Sequence, residues 1–290
     1  MEKKYKLTEE TTNMGNRTLC RIEALRDFGD VKKGDKGGFI EKEDNLSQSG
    51  DCWVYGDAEV YGNANVYDNA VICDNAVVFN NAEVYGNAVV RDEAKVYNNA
   101  VVSDKATISG DAEVYGSAEV YENAKVCDNA IVFNNAGVFG DARVHGNVEI
   151  FGDAMVYGKT KVCDKATISG DAEVYDKAIV CGNAMVYDNA EVYGNAEVFS
   201  KAKVYGDAEV YGNAVVRDEA KVYNNAEVFG NAEISGNAEV SDNAKVYEYA
   251  WIYDKAHVCD NAVVYGNAEV YGNAKVCGNA VVCGNVEVCN

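Results

Sequence analysis

Proline is absent from this 290-residue chain, only two histidines occur, and no leucine follows Leu46. A length of this order usually means one or two globular domains. This composition argues against an ordinary globule, because a large mixed core cannot be built from it. Two histidines exclude a zinc site of the three-imidazole kind. The opening Met1-Glu2-Lys3-Lys4-Tyr5-Lys6 leads into no apolar stretch of the signal-peptide type, and no run is long enough to span a membrane. A cytoplasmic location is therefore expected, with the ten cysteines as reduced thiols. No phosphate-cradling glycine loop and no Ser/His/Asp set is readable. Threonine is too sparse for the regular ladders of ice-binding solenoids.

Charge is unevenly placed. The net charge is −21, yet residues 1–49 are neutral, with ten Lys/Arg and ten Asp/Glu. Of the 26 basic and 47 acidic side chains, 16 and 37 fall beyond residue 49. Such a surface disfavours direct binding to nucleic acid or to an anionic membrane and suits a basic partner.

What the chain does have is a repeat. From Gly50 it reads GDCWVY, GDAEVY, GNANVY, DNAVIC, DNAVVF, NNAEVY, and this six-residue phase runs unbroken to Cys289, giving 40 hexads. Position 5 is Val or Ile in all 40, and position 3 is Ala in 36, the exceptions being Cys52, Val148, Thr160 and Val286. Positions 1 and 2 are mostly Gly, Asn or Asp, position 6 is mostly aromatic, and position 4 varies. Positions 3 and 5 share one side of an extended strand, so Ala and Val form the inward pair. Positions 4 and 6 point outward, and positions 1 and 2 suit a corner that needs positive φ. Each hexad is one short strand plus one bend. Strands pair in parallel with those one coil away.

Long-range copies set the coil length. Tyr85–Ala100 returns unchanged as Tyr211–Ala226 at an offset of 126, seven times 18, and CDNAVVFNNA returns with one change at an offset of 54. A third copy, DKATISGDAEVY, recurs at an offset of 60, which is ten hexads but not whole coils. Sorting position 6 by 18 residues separates three faces. One reads Tyr67, Tyr85, Ser103, Tyr121, Phe139, Tyr157, Tyr175, Tyr193, Tyr211, Phe229, Tyr247, Tyr265 and Cys283, with eleven of 13 aromatic. A second, from Tyr61 to Cys277, has nine of 13, and the third, from Tyr55 to Cys289, has four of 14 and is rich in thiols. The expected architecture is all-β: a three-sided parallel β-helix of 18 residues per coil and about 13 coils, roughly 64 Å long at ~4.8 Å per coil. Residues 1–49, with Leu19, Ile22, Leu25, Phe28, Val31, Phe39 and Ile40, break the pattern and read as a small N-terminal cap on the solenoid of residues 50–290. A β-hairpin turning at Gly34-Asp35 or Gly37-Gly38 is expected there.

The hexads of residues 50–289, with an inward aliphatic at position 5, a small residue at position 3 and Asn/Gly corners, resemble the bacterial hexapeptide-repeat superfamily of left-handed β-helices. The left-handed sense comes from that resemblance. The opening, with Ile22-Glu23-Ala24-Leu25-Arg26-Asp27-Phe28, Lys33-Gly34-Asp35-Lys36-Gly37-Gly38, Asp44-Asn45-Leu46-Ser47 and Cys52-Trp53-Val54-Tyr55, is similar to a narrower group, the YdcK-type proteins of bacteria and prophages. It implies a phage association and no chemistry.

Much of the superfamily consists of acyltransferases, which use a His general base beside a loop thrown out of the coil. Here His145 and His257 lie about six coils apart, roughly 29 Å, and no loop interrupts a hexad. A column of Cys127, His145, Cys163 and Cys181 fits tetrahedral zinc poorly. Cys163/Cys181 and Cys259/Cys277 are stacked neighbours close enough for disulfides, which a cytoplasm disfavours. No catalytic residue, metal or cofactor is expected. The candidate binding residues are the aromatics of the first face: Tyr67, Tyr85, Tyr121, Phe139, Tyr157, Tyr175, Tyr193, Tyr211, Phe229, Tyr247 and Tyr265. A stripe that long exceeds what monomers usually leave exposed. The leading expectation is a non-catalytic scaffold that binds a protein partner or self-associates as a dimer or trimer. The alternatives are a phage-type inhibitor of a host or defence protein, acting as a DNA mimic, and, last, a divergent acyltransferase. Duplex DNA of ~64 Å carries about 38 charges, against −21 here.

Overall fold

The computed structural model describes residues 2–290. It divides into two compact units, Met1–Asp141 and Ala142–Asn290. Both are parallel β-solenoids, and no α-helix occurs among the described residues.

The corner explains position 1. All forty residues there, from Gly50 to Gly284, hold φ between +58 and +91. Nineteen are not glycine and are mostly Asp or Asn, the side chains that tolerate this left-handed region best. Aspartate adds a bond that glycine cannot. The carboxylates of Asp92, Asp164 and Asp218 each accept the backbone N–H of the corner one coil on, from Gly110, Gly182 and Gly236, at 3.0 Å. At position 2, asparagine amides run in ladders such as Asn195→Asn213→Asn231, at 3.2 and 3.1 Å. Part of the acidity and the Asn content thus serves coil-to-coil hydrogen bonding.

Between corners, positions 3 and 5 are buried from Cys52 to Val276. Most strands are two residues long and pair in parallel with the strand 18 residues on; Val174 lies opposite Val156 and Val192. Three columns result in each unit. In the first they run from Trp53–Val54 to Lys125–Val126, from Glu59–Val60 to Ile131–Val132 and from Asn65–Val66 to Gly137–Val138. In the second they begin at Arg143–Val144, Glu149–Ile150 and Met155–Val156. The 18-residue parallel coil read from the sequence is the one observed. Thr160, an exception at position 3, is fully buried and donates its hydroxyl to Tyr157 O.

The N-terminal segment shares the first unit. Strands β1 (Tyr5–Met14), β2 (Arg17–Ala24) and β3 (Lys36–Ile40) form an antiparallel set, and β3 continues in parallel onto Glu59–Val60. The β1–β2 hairpin turns at Gly15, φ +59, and the antiparallel β2–β3 connection carries the expected Gly34-Asp35, where the Gly34 N–H donates to Ala24 O at 2.8 Å. Gly37-Gly38 lies inside β3. A Cβ on Gly37 would sit 2.5 Å from Val54 O, so glycine there permits close packing onto the first coil. Tyr5 and Phe28 meet the buried Trp53 edge-on at 6.1 and 5.3 Å. The Lys4 ammonium is buried with them and donates to Cys52 O at 2.9 Å, and burial lowers its pKa.

Candidate functional site

The first-face aromatics stand in one column within each unit. In the second unit Tyr157, Tyr175, Tyr193, Tyr211, Phe229, Tyr247 and Tyr265 form a seven-ring stack, with centroids 4.7–5.0 Å apart and planes within 7°. In the first unit Tyr67 stacks on Tyr85 and Tyr121 on Phe139, each at 4.8 Å, and the intervening Ser103 is buried. All of these rings are half-buried rather than fully exposed. Each hides its face against the next and shows an edge, with a hydroxyl on the tyrosines. The exposed stripe expected from the sequence is thus narrower than outward-pointing rings imply.

The hydroxyls are held as well. Tyr157, Tyr175 and Tyr193 donate at 2.8 Å to Glu173, Glu191 and Glu209 on the following coil, and Tyr211 donates to Glu227 at 3.4 Å. Burial, and then the neighbouring carboxylate, raise the phenol pKa values of Tyr157, Tyr175 and Tyr193, and that of Tyr211 is pushed up to about 12. These four hydroxyls therefore tie each coil of this stretch to the next.

The second face is stacked in the same way. Tyr61, Phe79, Tyr97, Tyr115 and Phe133 form five consecutive rings at 4.8–5.1 Å, and Tyr187, Tyr205 and Tyr223 three more. These residues were outside the candidate set, although their position-6 placement gave the same signal.

The thiol reading needs correction. Cys163–Cys181 and Cys259–Cys277 are disulfides, with Cα atoms 4.6 and 4.7 Å apart. Parallel register places position-6 side chains one coil apart face to face, which is the geometry a disulfide needs. Asp164 and Asp260 lie beside these pairs, so each trio could supply metal-ligand atoms once reduced.

One cluster was missed. His257 Nε2 lies 3.2 Å from Ser241 Oγ, and that hydroxyl also donates to Asp242 Oδ2 at 3.1 Å. The three residue types of a hydrolytic triad therefore meet, but the carboxylate engages the serine rather than the second imidazole nitrogen, and Ser241 is only 1% exposed. The missed signal is an i, i+16 diagonal from position 6 to position 4 of the next coil. Recesses lie along the corners; one of about 500 Å³ beside the cap is lined by Arg17, Glu41, Asn63, Asn81 and Asn99.

No family model matches the chain. Over 61 residues it is 39% identical to the uncharacterized acetyltransferase YdcK of Escherichia coli strain K12, a match covering 18% of this chain and 19% of that relative. The chain thus spans about a fifth of that relative's length. This limited likeness and the stacked 18-residue coils fit the hexapeptide-repeat β-helix superfamily. No helix among the described residues is long and apolar enough to cross a membrane.

Proposed function

We propose that the chain is a non-catalytic interaction scaffold whose first aromatic face binds a second copy of itself or a protein partner. The observation that carries this reading is the seven-ring stack from Tyr157 to Tyr265 with its hydroxyls fixed on Glu173, Glu191, Glu209 and Glu227. A contact surface that is already ordered loses little side-chain entropy on binding, and tyrosine is favoured at interfaces for that reason. The corner aspartates spend an oxygen on the next coil's N–H. That gives the acidity a structural role and takes weight from the DNA-mimic inhibitor.

The test is the solution mass by light scattering for the wild type and for Tyr157/Tyr175/Tyr193→Ser. An oligomer that becomes a folded monomer supports assembly through this face. If both are monomers, self-association is out and the face becomes bait for a partner.

A second reading has its own observation. The half-buried imidazole of His257, held beside Ser241, together with the relative's description as an acetyltransferase, supports acyl transfer with His257 as general base. Acetyl-CoA turnover that disappears in His257→Ala would favour it over the scaffold.

A further inference from the structure

One hexad departs from the rest. Glu248-Tyr249-Ala250-Trp251-Ile252-Tyr253 is the only repeat with an aromatic at position 2, and it has another at position 4. The other position-4 aromatic, Trp53, is 1% exposed beneath the N-terminal strands, whereas Trp251 is 36% and Tyr249 66% exposed. A random substitution of two repeat residues by large apolar ones adds exposed hydrophobic surface with no gain in packing. Here Trp251 is organised with its neighbours instead, and Tyr249 stands exposed at the corner two residues before it. Trp251 lies against Tyr253 with centroids 4.3 Å apart and planes tilted by 35°, and Tyr253 stacks on Tyr271 at 5.0 Å. The indole Nε1–H is fixed on Ser235 Oγ at 3.1 Å, and the Tyr253 and Tyr271 hydroxyls donate to Glu269 and Glu287 at 3.1 Å.

The surrounding charge selects a ligand. In the parallel register Trp251 stands between Glu233 and Glu269, with Glu287 one coil further. Arg217 holds Glu233, its Nε donating at 2.7 Å, while Glu269 uses one oxygen for Tyr253. Glu248 and Asp254 are exposed at the two adjoining corners, and Lys255 is the nearby base. Aromatic faces ringed by carboxylates attract cations: an ammonium or guanidinium over an indole is stabilised by the ring quadrupole, and guanidinium also stacks. The net charge of −21 steers basic partners toward the chain and repels anionic ones.

We propose that Tyr249, Trp251 and Tyr253 form a docking platform for a basic peptide segment, with an Arg or Lys side chain laid over Trp251 and its charge met by Glu269 and Glu248. The platform belongs to the thiol-rich column, not to the aromatic ladder, so it stands whether or not that ladder binds.

The test exploits the repeat. Tyr249→Asn with Trp251→Glu restores residues the solenoid uses at these positions throughout, so folding should survive, and it makes the chain one charge more acidic. A hexa-arginine peptide at physiological salt is the probe, read by calorimetry. The platform predicts about tenfold weaker binding to the variant, the loss of one good cation–π contact. Diffuse electrostatics predicts equal or tighter binding, and that result overturns the proposal. A second readout needs no variant. Trp251 is the exposed tryptophan, so hexa-arginine should perturb tryptophan emission while hexaglutamate should not; identical responses to both, or none to either, would also overturn it.

Discussion

The phenol of Tyr175 donates to Glu191 Oε2 at 2.8 Å, across one coil and sixteen residues. The same diagonal joins Arg217 to Glu233, Ser235 to Trp251 and Ser241 to His257. It follows from the register. Strands 18 residues apart are directly opposite, so position 6 of one coil reaches position 4 of the next. The outer surface is therefore cross-linked wherever a polar position-6 side chain meets a polar position-4 side chain on the next coil.

Alkaline titration should expose this lattice. Burial first, then Glu191, raise the pKa of Tyr175, and Tyr211 is pushed up to about 12. A raised folded-state pKa contributes stability that is fully present below the unfolded value of about 10 and is lost as pH rises through the folded value. Phenolate absorbance should thus lag the ordinary tyrosine range and rise together with loss of the β circular-dichroism signal. Ionisation of all twenty tyrosines near pH 10, with the fold intact, would contradict the lattice.

The core is thin, and each coil leans on its neighbours. Val174 is fully buried between Val156 and Val192. Val174→Ala should cost about 1–3 kcal/mol by transfer and cavity terms. Val174→Asp places an unpaired carboxylate between coils and should abolish folding of that region. Urea midpoints for both variants check the ranking; a soluble, fully folded Val174→Asp protein would show that the strand can turn its face outward.

The solenoid was legible because its period is its structure. Ala172 and Val174, two apart and inward, and the 18-residue recurrence of Tyr157, Tyr175 and Tyr193 each state a register without any long-range information. Aperiodic features were not legible. Gly37-Gly38 reads as a turn until Val54 and Trp53, distant in sequence, press on it from the first coil. Cys163 and Cys181 are placed by the period, but their redox state is not. The half-burial of Tyr175 depends on rings above and below, which a residue-by-residue outward assignment cannot register. Ser241 and His257 could have been paired from the strand direction alone.

Corner strain gives a prediction with three arms. Asp92 holds φ +63, and its carboxylate accepts the Gly110 N–H at 3.0 Å. Asp92→Ala loses the bond and puts a Cβ-bearing residue without local compensation into the left-handed region, for about 1–3 kcal/mol. Asp92→Gly loses the bond but relieves the strain and should cost under about 1 kcal/mol. Asp92→Asn should be the mildest. A melting series in which Gly is worse than Ala would refute the role of φ.

Cysteine chemistry separates the two disulfides from the six unpaired thiols. Cys163–Cys181 and Cys259–Cys277 each span 18 residues, so each should contribute about 3 kcal/mol by loop-closure entropy. Among the unpaired thiols, Cys283 and Cys289 are exposed, and Cys52 is buried with a raised pKa. Cys73 is half-buried; burial and then the Asp74 carboxylate push it up to about 12. Since thiolate is the reactive form, maleimide at neutral pH should modify Cys283 and Cys289 first and Cys52 and Cys73 slowly. Dithiothreitol should then add four reactive thiols and lower the melting temperature. The Cys163→Ser/Cys259→Ser variant should melt at the reduced protein's temperature with or without reductant. If instead the untreated protein offers all ten thiols and melts unchanged after reduction, the two pairs are not joined in solution and the coils hold without them.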